Sequence, residues 1–279
     1  MVNESPGTPP PRKLRPTRRG RLALLIGAVL VLVVAAAVLV PLLTREQGSG
    51  RTRSLLVPEG WRASQVYTAV DKVLDKPSGT TEKAVATADL PLPAAAKGNP
   101  EGYLFPATYP VTSGTTPESL LRYMVDTAVK RFGADHITAG AQRNGVTVYQ
   151  TVAIASIVQA EADTEPDMGK VARVVHNRLA RDMPLQMDST LNYALDRSTL
   201  DTTTGDTKID SPYNSYERKG LPPTPIGNPG EQAMAAAISP TPGPWLYFVT
   251  VAPGDTRFTA DYAEQQRNVA EFNRNRRGG

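Results

Sequence analysis

The stretch Thr147-Val148-Tyr149-Gln150-Thr151-Val152-Ala153-Ile154-Ala155-Ser156-Ile157-Val158-Gln159-Ala160-Glu161-Ala162-Asp163 predicts a strongly apolar α-helix that must be buried. Thr147 followed three positions later by Gln150 matches a capping box, in which a hydroxyl caps the first turn and the amide reaches back. The helix is expected to run to Asp163 and to stop before Glu165, because a residue preceding proline avoids the helical region. Ile154, Ile157, Val158 and Glu161 fall at i, i+3, i+4 and i+7, so a carboxylate shares the buried face. Desolvation disfavours the charged form, and such a carboxyl can hold its proton toward the operating pH, as a general acid must. The same pattern also fits a helix-end glutamate that reaches solvent or an arginine.

Downstream, Asn228-Pro229-Gly230-Glu231 reads as a helix start, with Asn as cap and Pro at the first position, leading into an Ala-rich helix. Leu246 to Val251, Pro253-Gly254-Asp255 and Thr256-Arg257-Phe258 read as strand, turn and strand, before a polar helix from about Asp261 to Arg274. Upstream, Leu55-Leu56-Val57, Pro58-Glu59-Gly60 and Ala63 to Leu74 read as strand, turn and helix. The Ala-, Pro-, Lys- and Gly-rich stretch up to residue 100 reads as loop. Trp61 is either core filling or a platform for a sugar ring. Helices with a small antiparallel sheet make the expected class α+β.

The chain has 279 residues, room for one large domain or two small ones, and its 25 prolines predict many turns. Residues 1–21 carry Arg12, Lys13, Arg15, Arg18, Arg19 and Arg21 against Glu4 alone, which exceeds the whole chain's formal charge of +4. The remainder is close to neutral, without a footprint for phosphate backbones, so no nucleic-acid partner is expected. The absence of cysteine excludes disulfides, thiolate nucleophiles and Cys-ligated metals. His136 and His176, the only histidines, are far apart without a carboxylate at zinc-motif spacing, and are expected at a helix surface or in a loop. No Gly-rich phosphate loop and no nucleophile elbow occurs, so neither metal nor cofactor is expected.

Residues 22–43 contain no charge, and at helical rise they extend about 33 Å, enough to cross a bilayer once. A cleaved signal peptide ending near Ala35-Ala36-Ala37 is the competing reading. The preceding arginines keep residues 1–21 in the cytoplasm, so the expected localisation is the cell membrane, single-pass, with the folded part extracytoplasmic. Residues 44–53 form a linker reaching about 35 Å at most, which confines that part to the membrane surface.

Several blocks, in order, carry a resemblance to a known family. They are Ile154-Ala155-Ser156-Ile157-Val158-Gln159-Ala160-Glu161-Ala162, Val171-Ala172-Arg173-Val174-Val175-His176-Asn177-Arg178-Leu179, Leu185-Gln186-Met187-Asp188-Ser189-Thr190, Ser211-Pro212-Tyr213-Asn214-Ser215-Tyr216, Gly220-Leu221-Pro222-Pro223-Thr224-Pro225-Ile226-Gly227-Asn228-Pro229-Gly230 and Leu246-Tyr247-Phe248-Val249. Together they resemble the endolytic murein transglycosylases of the MltG (YceG-like) family over about residues 101–275. Glu101-Gly102-Tyr103-Leu104-Phe105-Pro106 is similar to the segment that introduces the family's catalytic region, and Val57-Pro58-Glu59-Gly60-Trp61 to its LysM-like module. The resemblance implies a small LysM-like module at 54–100 and a catalytic domain at 101–279. Two departures stand out: Gln159-Ala160-Glu161 replaces the family's frequent Glu-Lys-Glu, and the N-terminal region is short for two LysM-like pieces.

What the resemblance implies chemically is a lyase acting on peptidoglycan glycan strands. Protonated Glu161 donates to the oxygen linking N-acetylmuramic acid to N-acetylglucosamine, then acts as base on the muramoyl C6 hydroxyl, closing a 1,6-anhydro ring. The attack is intramolecular, so positioning replaces water activation and one carboxyl suffices. Gln186, Asp188, Ser189, Thr190, Tyr213, Asn214 and Tyr216 are the candidates for orienting the sugar, with Asn214 and Tyr216 equally readable as turn and packing residues. Asp188 is the rival second carboxylate of an ordinary hydrolase. A catalytically silent wall-binding or division scaffold is the alternative from another class. The expected partners are glycan strands, the cell membrane and penicillin-binding synthases.

Overall fold

The structure, a computed structural model, describes residues 53–198 and 202–278. The chain divides into units Met1–Arg51 and Thr52–Gly279, and the described residues belong to the second. The apolar stretch 22–43 lies outside them; among the described residues no helix is long and apolar enough to cross a membrane.

Strand β1 (Arg53–Leu56) pairs antiparallel with β2 (Thr108–Val111), placing Leu55 opposite Tyr109. Pro110 is tolerated in β2 because, among the described residues, this sheet has two strands and leaves an outer edge free of ladder bonds. Between them lie α1 (Ala63–Val73) and α2 (Thr80–Val85). Helix α2 falls in the stretch expected to be loop. A tertiary contact holds it there: buried Asp71 Oδ1 accepts from the backbone N–H of Thr81 at 2.8 Å and from its hydroxyl at 2.6 Å.

Helix α3 (Pro117–Phe132) is capped by Thr116 with Pro117 in its first turn, and α4 (Asp135–Arg143) follows. Helix α5 (Val148–Glu161) is the apolar helix of the sequence reading, and Thr147 and Gln150 form the expected capping box. It is followed by α6 (Glu165–Ala180), the short α7 (Asp188–Ala194) and α8 (Glu231–Ile238). The hairpin β3 (Tyr247–Ala252) and β4 (Asp255–Thr259) precedes α9 (Tyr262–Gly278), within two residues of the expected strand starts. The mixture of helices and small antiparallel sheets is α+β.

Residues 151–158 of α5 are buried without a break, because α6, α7, α8 and the 225–230 loop surround the helix. Each fully buried Ile or Val there contributes about 1.5–3 kcal/mol. A second apolar cluster joins Leu55, Val66, Val70 and Tyr109 to Leu120, Leu121 and Met124 of α3, and Trp61 packs against it half-buried, as core filling. Gly102 lies where the two meet. It has φ +84, and a Cβ there would fall 2.6 Å from Pro225, so only glycine fits both the turn and the approach.

The 58–62 turn is stitched to the 227–230 loop. Gly60 N–H donates to the Asn228 carbonyl at 2.7 Å, and Asn228 N–H donates back to Trp61 at 2.8 Å. The Asn228 amide also donates to the Trp61 carbonyl at 2.7 Å and accepts from Leu104 N–H at 2.8 Å. This corrects the reading of Asn228 as a helix cap: α8 is capped by Gly230 without a side-chain bond, and the buried Asn228 ties three segments together instead.

Candidate active site

Glu161 is the last residue of α5. Ala162 turns extended, so the helix ends two residues before Asp163, and Thr164 caps α6 with its hydroxyl accepting from Asp167 N–H. Glu165 then opens a new helix ahead of Pro166, where proline is acceptable because first-turn N–H groups lack helical partners anyway. Two helices thus meet at a sharp corner that carries the acid.

Glu161 as a residue is half-buried. Oε1 accepts the backbone N–H of Ser189 at 3.1 Å. Burial raises its pKa above the usual carboxylate range, Ser189 opposes this, and the neighbouring Asp188 charge raises it further. The Ser189 hydroxyl is a buried oxygen without a hydrogen-bond partner of good geometry beside this carboxyl. Asp188 Oδ1 accepts from the Tyr216 hydroxyl at 2.5 Å. Burial, then Asp188 and Glu161, push the Tyr216 phenol upward, so Tyr216 stays a donor and Asp188 an acceptor. The arrangement pairs a carboxyl biased toward its protonated form with a hydrogen-bonded carboxylate beside it.

Of the other residues singled out in the sequence, Gln186 is exposed and adopts φ +50, unusual for a residue with a side chain. Its N–H donates to the Ser215 carbonyl at 2.9 Å, and the Ser215 hydroxyl accepts from Met187 N–H at 2.9 Å. Thr190 is fully buried, its hydroxyl bonded to the Met187 carbonyl at 2.7 Å and facing Ser215 Oγ at 2.8 Å. Asn214 is fully buried too, donating to the carbonyls of Thr207 and Ile209 and accepting from Tyr216 N–H. These two frame the loop from inside, which matches the turn reading of Asn214. Tyr213 shares a hydrogen bond with Thr224 at 2.8 Å and packs on the Tyr193 ring with centroids 4.8 Å apart. The structure therefore gathers Asp188, Ser189 and Tyr216 at Glu161, whereas Gln186 and Tyr213 make their contacts to Ser215 and Arg178 and to Thr224 and Tyr193. An open depression of about 480 Å³ adjoins this loop, lined by Tyr213, Ser215, Arg218 and Lys219 among others, and Glu161 does not line it.

Arg178 is a residue the sequence reading left without a role. Its guanidinium is buried and bonds to neutral acceptors, the carbonyls of Leu246 at 2.6 Å, Leu185 at 2.6 Å and Pro184 at 3.2 Å, and Gln186 Oε1 at 3.2 Å. It also lies 5.2 Å from the Tyr247 ring centroid. Burial lowers its pKa, yet a guanidinium remains cationic. One side chain thereby clamps the segment that leads into α7 to the start of the hairpin. The signal available in the sequence was an arginine on the same helical stripe as Val171, Val174 and Val175.

Gln159, where the family often has Glu, points elsewhere: its Oε1 accepts from Gly230 N–H at 3.0 Å, at the start of α8. His176 was expected at a surface, but it is half-buried on α6 and its Nε2 donates to the Ala237 carbonyl at 3.0 Å; His136 is exposed on α4.

The fold and this corner define a YceG-like architecture, and the sequence profile of the YceG-like family matches residues 34–271. The chain belongs to that family. It is 36% identical over 174 residues to the endolytic murein transglycosylase of Bacillus subtilis (strain 168), covering 62% of this chain and 48% of the relative. It is 34% identical over 245 residues to the endolytic murein transglycosylase of Streptococcus pneumoniae (strain D39), covering 78% of this chain and 44% of the relative. The chain thus spans about half the length of these curated relatives. Among solved structures it resembles a YceG-like protein of Listeria monocytogenes, with TM-score 0.67 and 30% identity over 77% of this chain and 75% of that one.

Proposed function

We propose that this chain is an endolytic peptidoglycan lytic transglycosylase that cleaves the β-1,4 bond between N-acetylmuramic acid and N-acetylglucosamine and leaves 1,6-anhydro ends. The observation that carries the reading is the Glu161 carboxyl, raised in pKa by burial and set beside Ser189 and the Tyr216-bonded Asp188 at the corner between α5 and α6. The names of the relatives in Bacillus and Streptococcus support the substrate class. Glu161 donates its proton to the leaving oxygen and then receives one from the muramoyl C6 hydroxyl, which closes the ring. Ser189 N–H holds the carboxyl in place, and Tyr216 holds Asp188. Asp188, Ser189, Tyr216, Gln186 and Tyr213 are the groups proposed to orient the sugar, with Thr190 and Asn214 supporting them from within.

Residues 22–43 are proposed to anchor the chain in the cell membrane, with the active corner outside the cytoplasm and penicillin-binding synthases as neighbours on nascent strands. Residues 54–100 are proposed as the LysM-like module. The experiment is mass spectrometry of glycan strands digested by the full chain and by Glu161→Gln. Anhydro ends that vanish in the variant are expected, and an active Glu161→Gln sinks the assignment. The position of Asp188 next to Glu161 favours one second reading, a two-carboxylate hydrolase. Plain reducing ends in the same spectra would select it.

A further inference from the structure

Glu101 is a buried acid that the chemistry above does not use. It is 4% exposed. Its oxygens accept the backbone N–H of Ala63 at 3.0 and 3.2 Å, and Oε2 accepts from the Tyr193 hydroxyl at 3.0 Å. Burial pushes this carboxyl up to about 7, against the pull of Ala63, Tyr193 and Arg62. The titratable or charged groups facing it are Arg62 and Tyr67 from the 53–74 segment and Tyr193 from α7.

Tyr193 follows Ser189 by four residues on α7, so the two lie on one face, about 6 Å apart along the helix. Two acids therefore contact α7 at its two ends, Glu161 at the N-terminal end through the Ser189 N–H and Glu101 at the last turn through the Tyr193 side chain. Arg62 adds to the grip at that far end. Its guanidinium lies 5.2 Å from the Tyr193 ring centroid and donates to the Arg197 carbonyl at 2.7 Å. At seven residues, α7 is too short to hold itself in shape without such contacts.

We propose that Glu101 is a positioning residue for the Glu161 site: through Tyr193 it fixes the far end of α7, whose first turn presents Ser189 N–H and Asp188 to Glu161. The proposal rests on the reading of Glu161 as the acid and deepens it. A burial role alone would make Glu101 matter for folding only. A positioning role makes the loss pass through Tyr193 and appear in the chemical step.

The test uses the full chain in detergent micelles with uncross-linked glycan strands, and compares Glu101→Ala, Tyr193→Phe, their double variant and Glu101→Gln. Tyr193→Phe removes one oxygen and is the variant to rely on if Glu101→Ala fails to fold. The expected result is kcat lowered about tenfold in Tyr193→Phe and in Glu101→Ala with KM within about twofold, and a double variant no slower than the slower single. Glu101→Gln, which keeps an acceptor for Tyr193, restores most of kcat. Hydrogen exchange of the peptide covering Ser189, read by mass spectrometry, accelerates about tenfold in Tyr193→Phe. Wild-type kcat in Tyr193→Phe overturns the proposal, as do losses that multiply in the double variant. If the wild type makes no anhydro ends, or Glu161→Gln stays active, it is the proposed function that has failed. The exchange arm then decides alone, and unchanged exchange at Ser189 overturns the positioning role.

Discussion

Gln159 and Gly230 are joined by a hydrogen bond of 3.0 Å from the glycine N–H to the amide oxygen, on a different side of α5 from Glu161. The position where relatives often carry an acid thus serves the start of α8 in this chain. Glu59 packs over the same glycine, so closely that a Cβ on Gly230 would meet its carboxyl carbon at 2.0 Å. Two carboxylates would crowd one backbone amide if residue 159 were acidic. Gln159→Glu is therefore expected to leave glycan cleavage unchanged and to lower stability by about 1 kcal/mol, with Glu59→Gln in the same chain restoring it. Cleavage rates and urea unfolding midpoints check both halves; a large gain in rate would place residue 159 in the chemistry after all.

The pH profile should report the Asp188 charge. Glu161 is held above the ordinary carboxylate range first by burial and also by Asp188, so the rate falls as pH rises through that raised value. Asp188→Asn removes a like charge, the protonated form is less favoured, and the alkaline limb moves to lower pH. Rate against pH for the two proteins is the measurement. Complete loss of activity at every pH would instead make Asp188 a direct participant.

Arg178→Met strands the carbonyls of Leu185 and Leu246, both at 2.6 Å from the guanidinium. The expected cost is roughly 2–4 kcal/mol, read from chemical denaturation. Arg178→Lys should recover only part of it, because an ammonium is a point donor and the native contacts need a fork.

Glu101 should leave a signature in stability against pH with a sign opposite to that of an ordinary paired carboxylate. Its folded value of about 7 lies above the ordinary glutamate value of 4.5, so the folded state binds the extra proton between these limits. Stability is fully present below about 4.5 and is lost as pH rises through about 7, by on the order of 3 kcal/mol. Glu101→Gln should flatten that window in thermal unfolding scans, and an unchanged slope would contradict the burial argument.

The sequence disclosed the parts whose pattern is local. The capping box at Thr147, the apolar run of α5 and the hairpin with its polar helix all follow from spacing within a dozen residues. Long-range partners were not legible. Asn228 looks like a cap because Asn-Pro-Gly-Glu is a cap pattern, and only the arrival of Trp61 and Leu104 gives its amide other work. Helix α3 went unread although Thr116-Pro117 marks its start, because its apolar residues face a cluster assembled from distant strands. At the site, phase on an apolar helix makes Glu161 a candidate and the family resemblance singles it out, while Glu101 and Arg178 acquire meaning only from groups beyond their own segments. Thr190 and Asn214 were polar residues in the right blocks, but nothing in the sequence distinguishes an inward hydroxyl or amide from an outward one.

The exchange of backbone bonds between Gly60, Trp61 and Asn228 has a consequence for biosynthesis. Trp61 and Asn228 are 167 positions apart, so ribosomes must add that many residues before the first-made turn meets its partner. At about 5–20 residues per second, the 58–62 turn waits on the order of ten to thirty seconds for Asn228, although the apolar cluster around Leu55 and Trp61 can close once Met124 has been made. The cluster of the early strand can thus be assembled well before the seam that ties it to the 227–230 loop, and that seam is completed only late in synthesis.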